Sequence, residues 1–219
     1  MATFKTKNKM VYDYIKDAII NAKYAPGEKI NPKDLALQLE VSPVPVREAI
    51  NKLSTEGFLK VIPHIGATVA DINQAEVEEM HMIRSELECF AVKLSIQQIT
   101  EERIRKLERV LDEAERALKT AKFDKFKKLN KQFHTGLYAD SSYQLLVEII
   151  LQLYNKLQMV LHVPWTEQRA EQTMREHRLI LAAVKEKNAE AICKVLMKHR
   201  KTQFHELYIS QKTERSALK

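Results

Sequence analysis

Cysteine, glycine and proline are all scarce in this chain, with two, four and six residues among 219. The two cysteines, Cys89 and Cys193, lack CxxC spacing and lie in apolar helical stretches, so they make no disulfide framework and are expected to stay reduced. Long apolar runs are missing too: nothing approaches the roughly 18 consecutive apolar residues of a membrane span. The basic start MATFKTKNK is not followed by the apolar run of a secretion signal. A soluble, cytoplasmic protein without a membrane partner is therefore expected. There is no low-complexity stretch and no run of like charge. The formal net charge is +7, of which residues 1–70 hold +3, ten Lys/Arg against seven Asp/Glu. An excess spread this evenly favours an anionic partner only weakly.

The little glycine and proline present lies mostly at one end. Gly27, Gly57 and Gly66, with Pro26, Pro32, Pro43, Pro45 and Pro63, all precede residue 71; only Gly136 and Pro164 follow it. A turn-rich module of residues 1–70 thus precedes an almost uninterrupted helical pattern over residues 71–219. The boundary is expected near Ala70–Asp71, and each part is long enough to bury a core.

In the first module, Met10, Val11, Tyr14, Ile15, Ala18, Ile19 and Ile20 predict a helix ending near Tyr24, before the turn Pro26–Gly27. Asn31 and Pro32 open a second helix carrying Leu35, Ala36 and Leu39. After the short connection Glu40–Val41, Ser42 is placed to cap a third, with Pro43 at its first position and Val46, Ala49, Ile50 and Leu53 inward. Gly57 stops it. Two β-prone runs follow, Phe58–Ile62 and Ala67–Ala70, joined by the turn Pro63-His64-Ile65-Gly66. Three short helices and a two-stranded ribbon form a complete winged helix-turn-helix pattern, which lays a helix in the major groove of double-stranded DNA and a ribbon on the backbone or minor groove. The same segment is also readable as a plain structural helix-hairpin. On the winged reading, Lys33, Ser42, Val44, Arg47 and Lys52 face the duplex, with His64 and Gly66 in the wing.

The second part predicts six antiparallel helices: Gln74–Leu94 with Asp71 or Asn73 as cap, Glu101–Ala121 capped by Thr100, Asp124–Tyr138, a fourth from Ser141 or Ser142 to about His162, Thr166–Lys187, and Ala189–Ser210. Pro164 breaks the chain between the fourth and fifth. The fold class is mainly α, a winged module followed by an all-α antiparallel bundle. Bundle cores are where ligand and metal sites assemble from facing side chains. Three of the apolar stripes carry a histidine: His134, His177 and His199. Asn130 sits one turn before His134, so both reach one point. Two readings stand side by side: hydrogen-bonded core histidines, or one shared centre for a divalent transition metal such as Zn or Ni, with Asn130 as a fourth ligand. Arg84, on the stripe of the first bundle helix, either pairs with Glu88 or points inward to grip a carboxylate.

These motifs taken together resemble a GntR-superfamily transcription regulator of the FadR type with an FCD effector domain. In the first module the likeness rests on Pro26-Gly27, Leu35-Ala36, Val41-Ser42, Pro45-Val46-Arg47-Glu48-Ala49, Glu56-Gly57 and Pro63 with Gly66. In the second it rests on Arg84 with Leu87-Glu88, Asn130-x-x-Phe133-His134, Glu176-His177 and His199. The resemblance implies a homodimer on a short palindromic operator, usually as a repressor, and a small carboxylate effector in the bundle. It also implies metal ligands at the positions of Asn130, His134, His177 and His199. Asn130 departs from the family's usual aspartate, which leaves any metal centre one positive charge richer and less tightly held. Pro43 and Ile65 stand where many members carry DNA-contacting arginines, so an operator sequence does not transfer.

The leading expectation is therefore a ligand-responsive DNA-binding regulator and not an enzyme. The competing class is a metal-dependent hydrolase or lyase with a DNA-binding appendage, in which a metal-held water would need a general acid or base. Glu176, about 100° around the helix from His177, does not offer one. A third possibility is a constitutive DNA-binding protein whose bundle only dimerises.

Overall fold

The computed structural model describes residues 6–62, 66–160 and 165–217. Pro63, His64 and Ile65 of the expected wing turn, the His162 end of the fourth bundle helix and the Pro164 break lie outside them. The chain divides into two compact units, one made of the residues up to Glu79 with the stretch from Gln152, the other of the remaining helices.

In the first unit, α1 (Lys7–Ile20) starts at Thr6, whose hydroxyl accepts from the Lys9 N–H. It ends short of the expected Tyr24: Ala22 turns into the left-handed region at φ 54°, and the Lys23 N–H bonds the Ala18 carbonyl at 2.8 Å. That termination uses an alanine where glycine is usual, so the sequence carries no stop signal there. Asn31 caps α2 (Pro32–Gln38) as expected, its side chain accepting from the Lys33 N–H at 3.0 Å. The connection to α3 (Pro43–Thr55) is tight because Glu40 sits at φ 52° while Val41 donates back to the Ala36 carbonyl. Ser42 occupies the N-cap position but makes no cap hydrogen bond, contrary to expectation; its side chain is exposed. At the far end Gly57, at φ 76°, lets the Phe58 N–H reach the Leu53 carbonyl at 2.8 Å, the closing bond of a Schellman motif.

The sheet has three strands where the sequence suggested two. Strand β1 (Lys29–Ile30) pairs antiparallel with β3 (Gly66–Val69), which pairs in turn with β2 (Leu59–Ile62), giving the order β1-β3-β2. Ile30 lies opposite Ala67, and Val61 opposite the same residue on the other side. A two-residue strand has no periodicity to read; its partner across the sheet defines it. Val11, Ile15 and Ile19 of α1, Val46 and Leu53 of α3, and Phe58 beside the sheet build one core, each almost fully buried. Tyr12 and Lys16 of α1 both reach the Glu56 carboxylate at the end of α3, which clamps the two helices.

The later helices are α4 (Gln74–Ser95), α5 (Glu101–Lys119), α6 (Phe123–Gly136), α7 (Gln144–Val160), α8 (Glu167–Lys185) and α9 (Ala189–Ala217). Asn73 caps α4, its side chain accepting from the Glu76 N–H; Thr100 and Thr166 cap α5 and α8 in the same way. Neither Ser141 nor Ser142 caps α7: the Ser141 hydroxyl instead accepts from the Tyr143 N–H in the turn before it. Helix α5 packs on α6 and α8, and α8 on α9. Leu107 and Leu111 of α5, Phe126 and Phe133 of α6, Ile180 of α8 and Leu196 of α9 meet at the centre of this core. Gly136 permits the α5–α6 approach, since a Cβ there would lie 2.7 Å from Leu107 Cδ2. Two residues earlier on the same helix stands His134.

Candidate metal and effector centre and nucleic-acid interface

The histidine stripes converge. His134 from α6, His177 from α8 and His199 from α9 are 2%, 1% and 0% exposed, and their candidate ligand nitrogens all lie within 4.8 Å of one another. The His134 and His177 Nε2 atoms are 3.1 Å apart. Two nitrogens bound at about 2.05 Å to one ion stand about 3.3 Å apart in a tetrahedral site and about 2.9 Å apart in an octahedral one. The observed spacing falls between these. Phe133 stacks on the His177 ring at 4.5 Å and fixes its plane.

Three buried polar atoms on these stripes have no hydrogen-bond partner: Asn130 Oδ1, one turn before His134, His199 Nε2, and His134 Nδ1, the ring nitrogen on the edge away from the Nε2 that meets His177. A buried acceptor or donor left without a partner costs free energy comparable to a lost hydrogen bond, so such a group calls for a ligand. His199 is oriented by Glu176, whose carboxylate hydrogen-bonds Nδ1 and leaves Nε2 for the centre. This is the carboxylate–histidine arrangement that supports metal-binding imidazoles elsewhere. The residues present thus fit a divalent transition ion. Glu176 does not stand clear of the centre as its helical angle suggested; it is committed to His199 and is not placed as a base toward a metal-held water.

Burial is the main cause that holds all three imidazoles well below the ordinary histidine range. Arg200 reinforces it at His134 and His199, and the neighbouring His199 does so at His177. The rings are accordingly neutral, the state in which imidazole ligates.

Arg84 is 5% exposed and engages Glu88, with Nε–Oε1 2.9 Å and Nη2–Oε1 2.8 Å. Arg200 of α9 grips the same carboxylate from the other side, Nε to Oε2 at 2.9 Å and Nη2 to Oε1 at 3.0 Å. Burial alone would raise the Glu88 carboxyl, but Arg200 and Arg84 outweigh it and keep the group ionised. Two buried guanidiniums thus share one carboxylate, and the Arg200 charge also acts on His134 and His199. The sequence reading missed Arg200, although Cys193, Leu196 and Arg200 recur at i, i+3 and i+7, one inward face of α9.

On the first unit, Lys33, Ser42, Val44 and Arg47 are exposed, Val44 to 59% despite its apolar side chain. Val44 and Arg47 lie three residues apart on the opening turns of α3, opposite its buried Val46 and Leu53. Lys52 is exposed but directs its ammonium over the Tyr12 ring at 4.6 Å. Gly66, at φ 105°, pairs with Ile62 at the end of the ribbon next to the wing turn. His64 lies outside the described residues.

Comparison with known proteins agrees with this architecture. The family model described as bacterial regulatory proteins, gntR family, matches residues 7–69, and the FCD domain model matches residues 79–202. The chain is 35% identical over 191 residues to the uncharacterized HTH-type transcriptional regulator YdhC of Bacillus subtilis (strain 168), covering 86% of this chain and 85% of that one. It is 27% identical to the HTH-type transcriptional repressor RspR of Escherichia coli (strain K12), over 88% and 85% of the two chains. The solved structure of E. coli McbR/YncC superposes with a TM-score of 0.83 at 26% identity, over 95% of this chain and 100% of that one. These relatives are regulators, which removes the hydrolase or lyase reading. The chain belongs to the GntR family of bacterial transcription regulators, non-enzymatic proteins that here join a winged helix-turn-helix to an FCD domain.

Proposed function

We propose that the protein is a ligand-responsive repressor that binds a palindromic operator as a homodimer and takes a small carboxylate effector at a metal centre in its helical domain. On this reading residues 1–70 form the DNA-binding domain, residues 71–219 form the effector-binding and dimerisation domain, and the protein works in the cytoplasm. The observation that carries it is the convergence of three buried, neutral imidazoles on three helices, with Asn130 Oδ1 and His199 Nε2 left without partners. Asn130, His134, His177 and His199 would hold the ion, which supplies positive charge for anionic oxygens when bound. Glu176 holds the His199 ring in its ligating orientation. Arg84 and Arg200 hold the effector's carboxylate in competition with Glu88, their present shared partner. A GntR-type relative named as a repressor supports the sign of regulation.

At the DNA, Arg47, Lys33, Ser42 and Val44 meet the duplex through the start of α3 and α2, with Lys52, His64 and Gly66 flanking. A two-fold pair of such modules matches a palindrome.

The test is metal analysis of protein purified without chelator, then titration with Zn or Ni, followed by operator binding with and without the ion. Uptake near one ion per chain, lost in His177→Ala while operator binding by the metal-free protein persists, supports the assignment. Only trace uptake by the wild-type protein after incubation would overturn it. Sedimentation of the full chain tests the dimer.

A further inference from the structure

The cysteines lie 104 positions apart in the sequence, yet the fold brings them together. Cys89, on α4, and Cys193, on α9, are each buried, at 5% and 9% exposure. Cys193 Sγ lies 3.5 Å from the Cys89 carbonyl oxygen, and Cys89 Sγ 3.9 Å from the Cys193 carbonyl oxygen. Each sulfur therefore touches the other residue's backbone, and this reciprocal contact brings the two helices close where these side chains meet. These are the chain's two cysteines, and they face each other.

We propose that Cys89 and Cys193 are a reversible redox pair, which a hydroperoxide-class oxidant converts to a disulfide that staples α4 to α9. The proposal stands whether or not the neighbouring centre holds a metal. In the reduced protein each sulfur rests against the other residue's backbone carbonyl, which holds the two thiols side by side, with the Lys93 charge one turn along α4. Either sulfur can attack first, Cys193 for instance. Its thiolate attacks the outer peroxide oxygen; the O–O bond breaks, and the departing alkoxide or hydroxide takes up a proton. The Cys89 sulfur then attacks Cys193 Sγ: the S–S bond forms, the S–O bond breaks, and hydroxide leaves as water with the Cys89 proton. With hydrogen peroxide, two thiols and one peroxide give one disulfide and two waters, a two-electron oxidation that an external dithiol reverses.

The position gives the staple its significance. Cys89 adjoins Glu88, and Cys193 stands seven residues, about two turns, before Arg200 on α9. The bond would join the two helices whose side chains make the Arg84–Glu88–Arg200 bridge. In a reducing compartment disulfides of this kind are transient and sensing rather than structural.

The experiment uses the full wild-type chain, reduced, desalted and treated with hydrogen peroxide. The expected result is loss of both free thiols and a mass decrease of about 2 Da, with the chain still migrating as a monomer without reductant. A linked peptide containing Cys89 and Cys193 should appear and should vanish after dithiothreitol. Hydrogen exchange in α4 and α9 should slow severalfold in the oxidised protein. In Cys89→Ser or Cys193→Ser the resolving partner is gone, so the remaining sulfur should over-oxidise, gaining about 32 Da. A wild-type chain that instead gains oxygen, forms a covalent dimer, or keeps both thiols even after treatment with diamide overturns the proposal, as does unchanged exchange in the two helices.

Discussion

Acidification of the metal-free protein from pH 7.5 to 5.5 should destabilise its helical unit steeply, and the magnitude follows from the histidines. His134, His177 and His199 are almost fully buried, and their folded pKa values are depressed well below the ordinary range, first by burial. A depressed histidine is neutral when folded but binds a proton when unfolded below about pH 6.5, so the unfolded state gains as pH falls. In the limit where a folded ring stays neutral across the window, each contributes RT ln(1 + 10^(6.5 − pH)), which is about 1.4 kcal/mol at pH 5.5 and near zero at pH 7.5. Three rings give a loss of about 4 kcal/mol, a large fraction of the stability of an ordinary domain. His81, pushed down to about 4 by burial and Arg200, acts in the same direction. The depressed carboxyls of Glu88 and Asp140 do not enter, because they lose stability only below the usual carboxylate range. Urea unfolding followed by the single tryptophan is the assay; Trp165 packs edge-on against Phe126 in the helical core at 4.9 Å. A stability change below about 1 kcal/mol across the window would refute the claim that three neutral imidazoles are buried together.

Asn130→Asp should tighten metal retention about tenfold in competition with a chelator, because a carboxylate restores a negative ligand where the amide oxygen now stands; unchanged retention would remove this residue from the ligand set. Arg47→Ala should weaken operator binding by about 1–3 kcal/mol if the guanidinium reads a base edge, and wild-type affinity should fall steeply with salt. An unaltered binding isotherm for the variant would exclude the contact. Glu40→Gly should raise the stability of the first unit by about 0.5–1 kcal/mol, since φ 52° suits glycine better than glutamate; a lower thermal midpoint would contradict the strain assigned to that turn.

Much of the fold was legible because its signals are local. Asn31, Thr100 and Thr166 announce helix starts through side chains that reach a backbone N–H two or three residues on. Gly57 announces a stop through a dihedral that glycine adopts freely. Ala22 and Glu40 do the same work at positive φ without glycine, so the end of α1 was read too late and the α2–α3 turn showed only as a short gap. Ser42 has the right residue type at the right position but makes no cap bond. Strand β1 was missed because two residues define no period.

The candidate centre was half legible. An apolar stripe at i, i+3, i+4 and i+7 makes any polar residue on it conspicuous, which is how Arg84, Asn130, His134, His177 and His199 stood out in their helices. Partnership across helices leaves no such mark. That Arg200 shares Glu88 with Arg84, that Glu176 turns to His199, and that Cys89 meets Cys193 depend on how α4, α8 and α9 cross. The sequence by itself determined the helices and which polar side chains face inward, because periodicity, caps and turns act over a few residues. Only the tertiary structure decided which of those side chains meet, because packing angles and helix offsets arise from the whole core at once and no short stretch of residues encodes them.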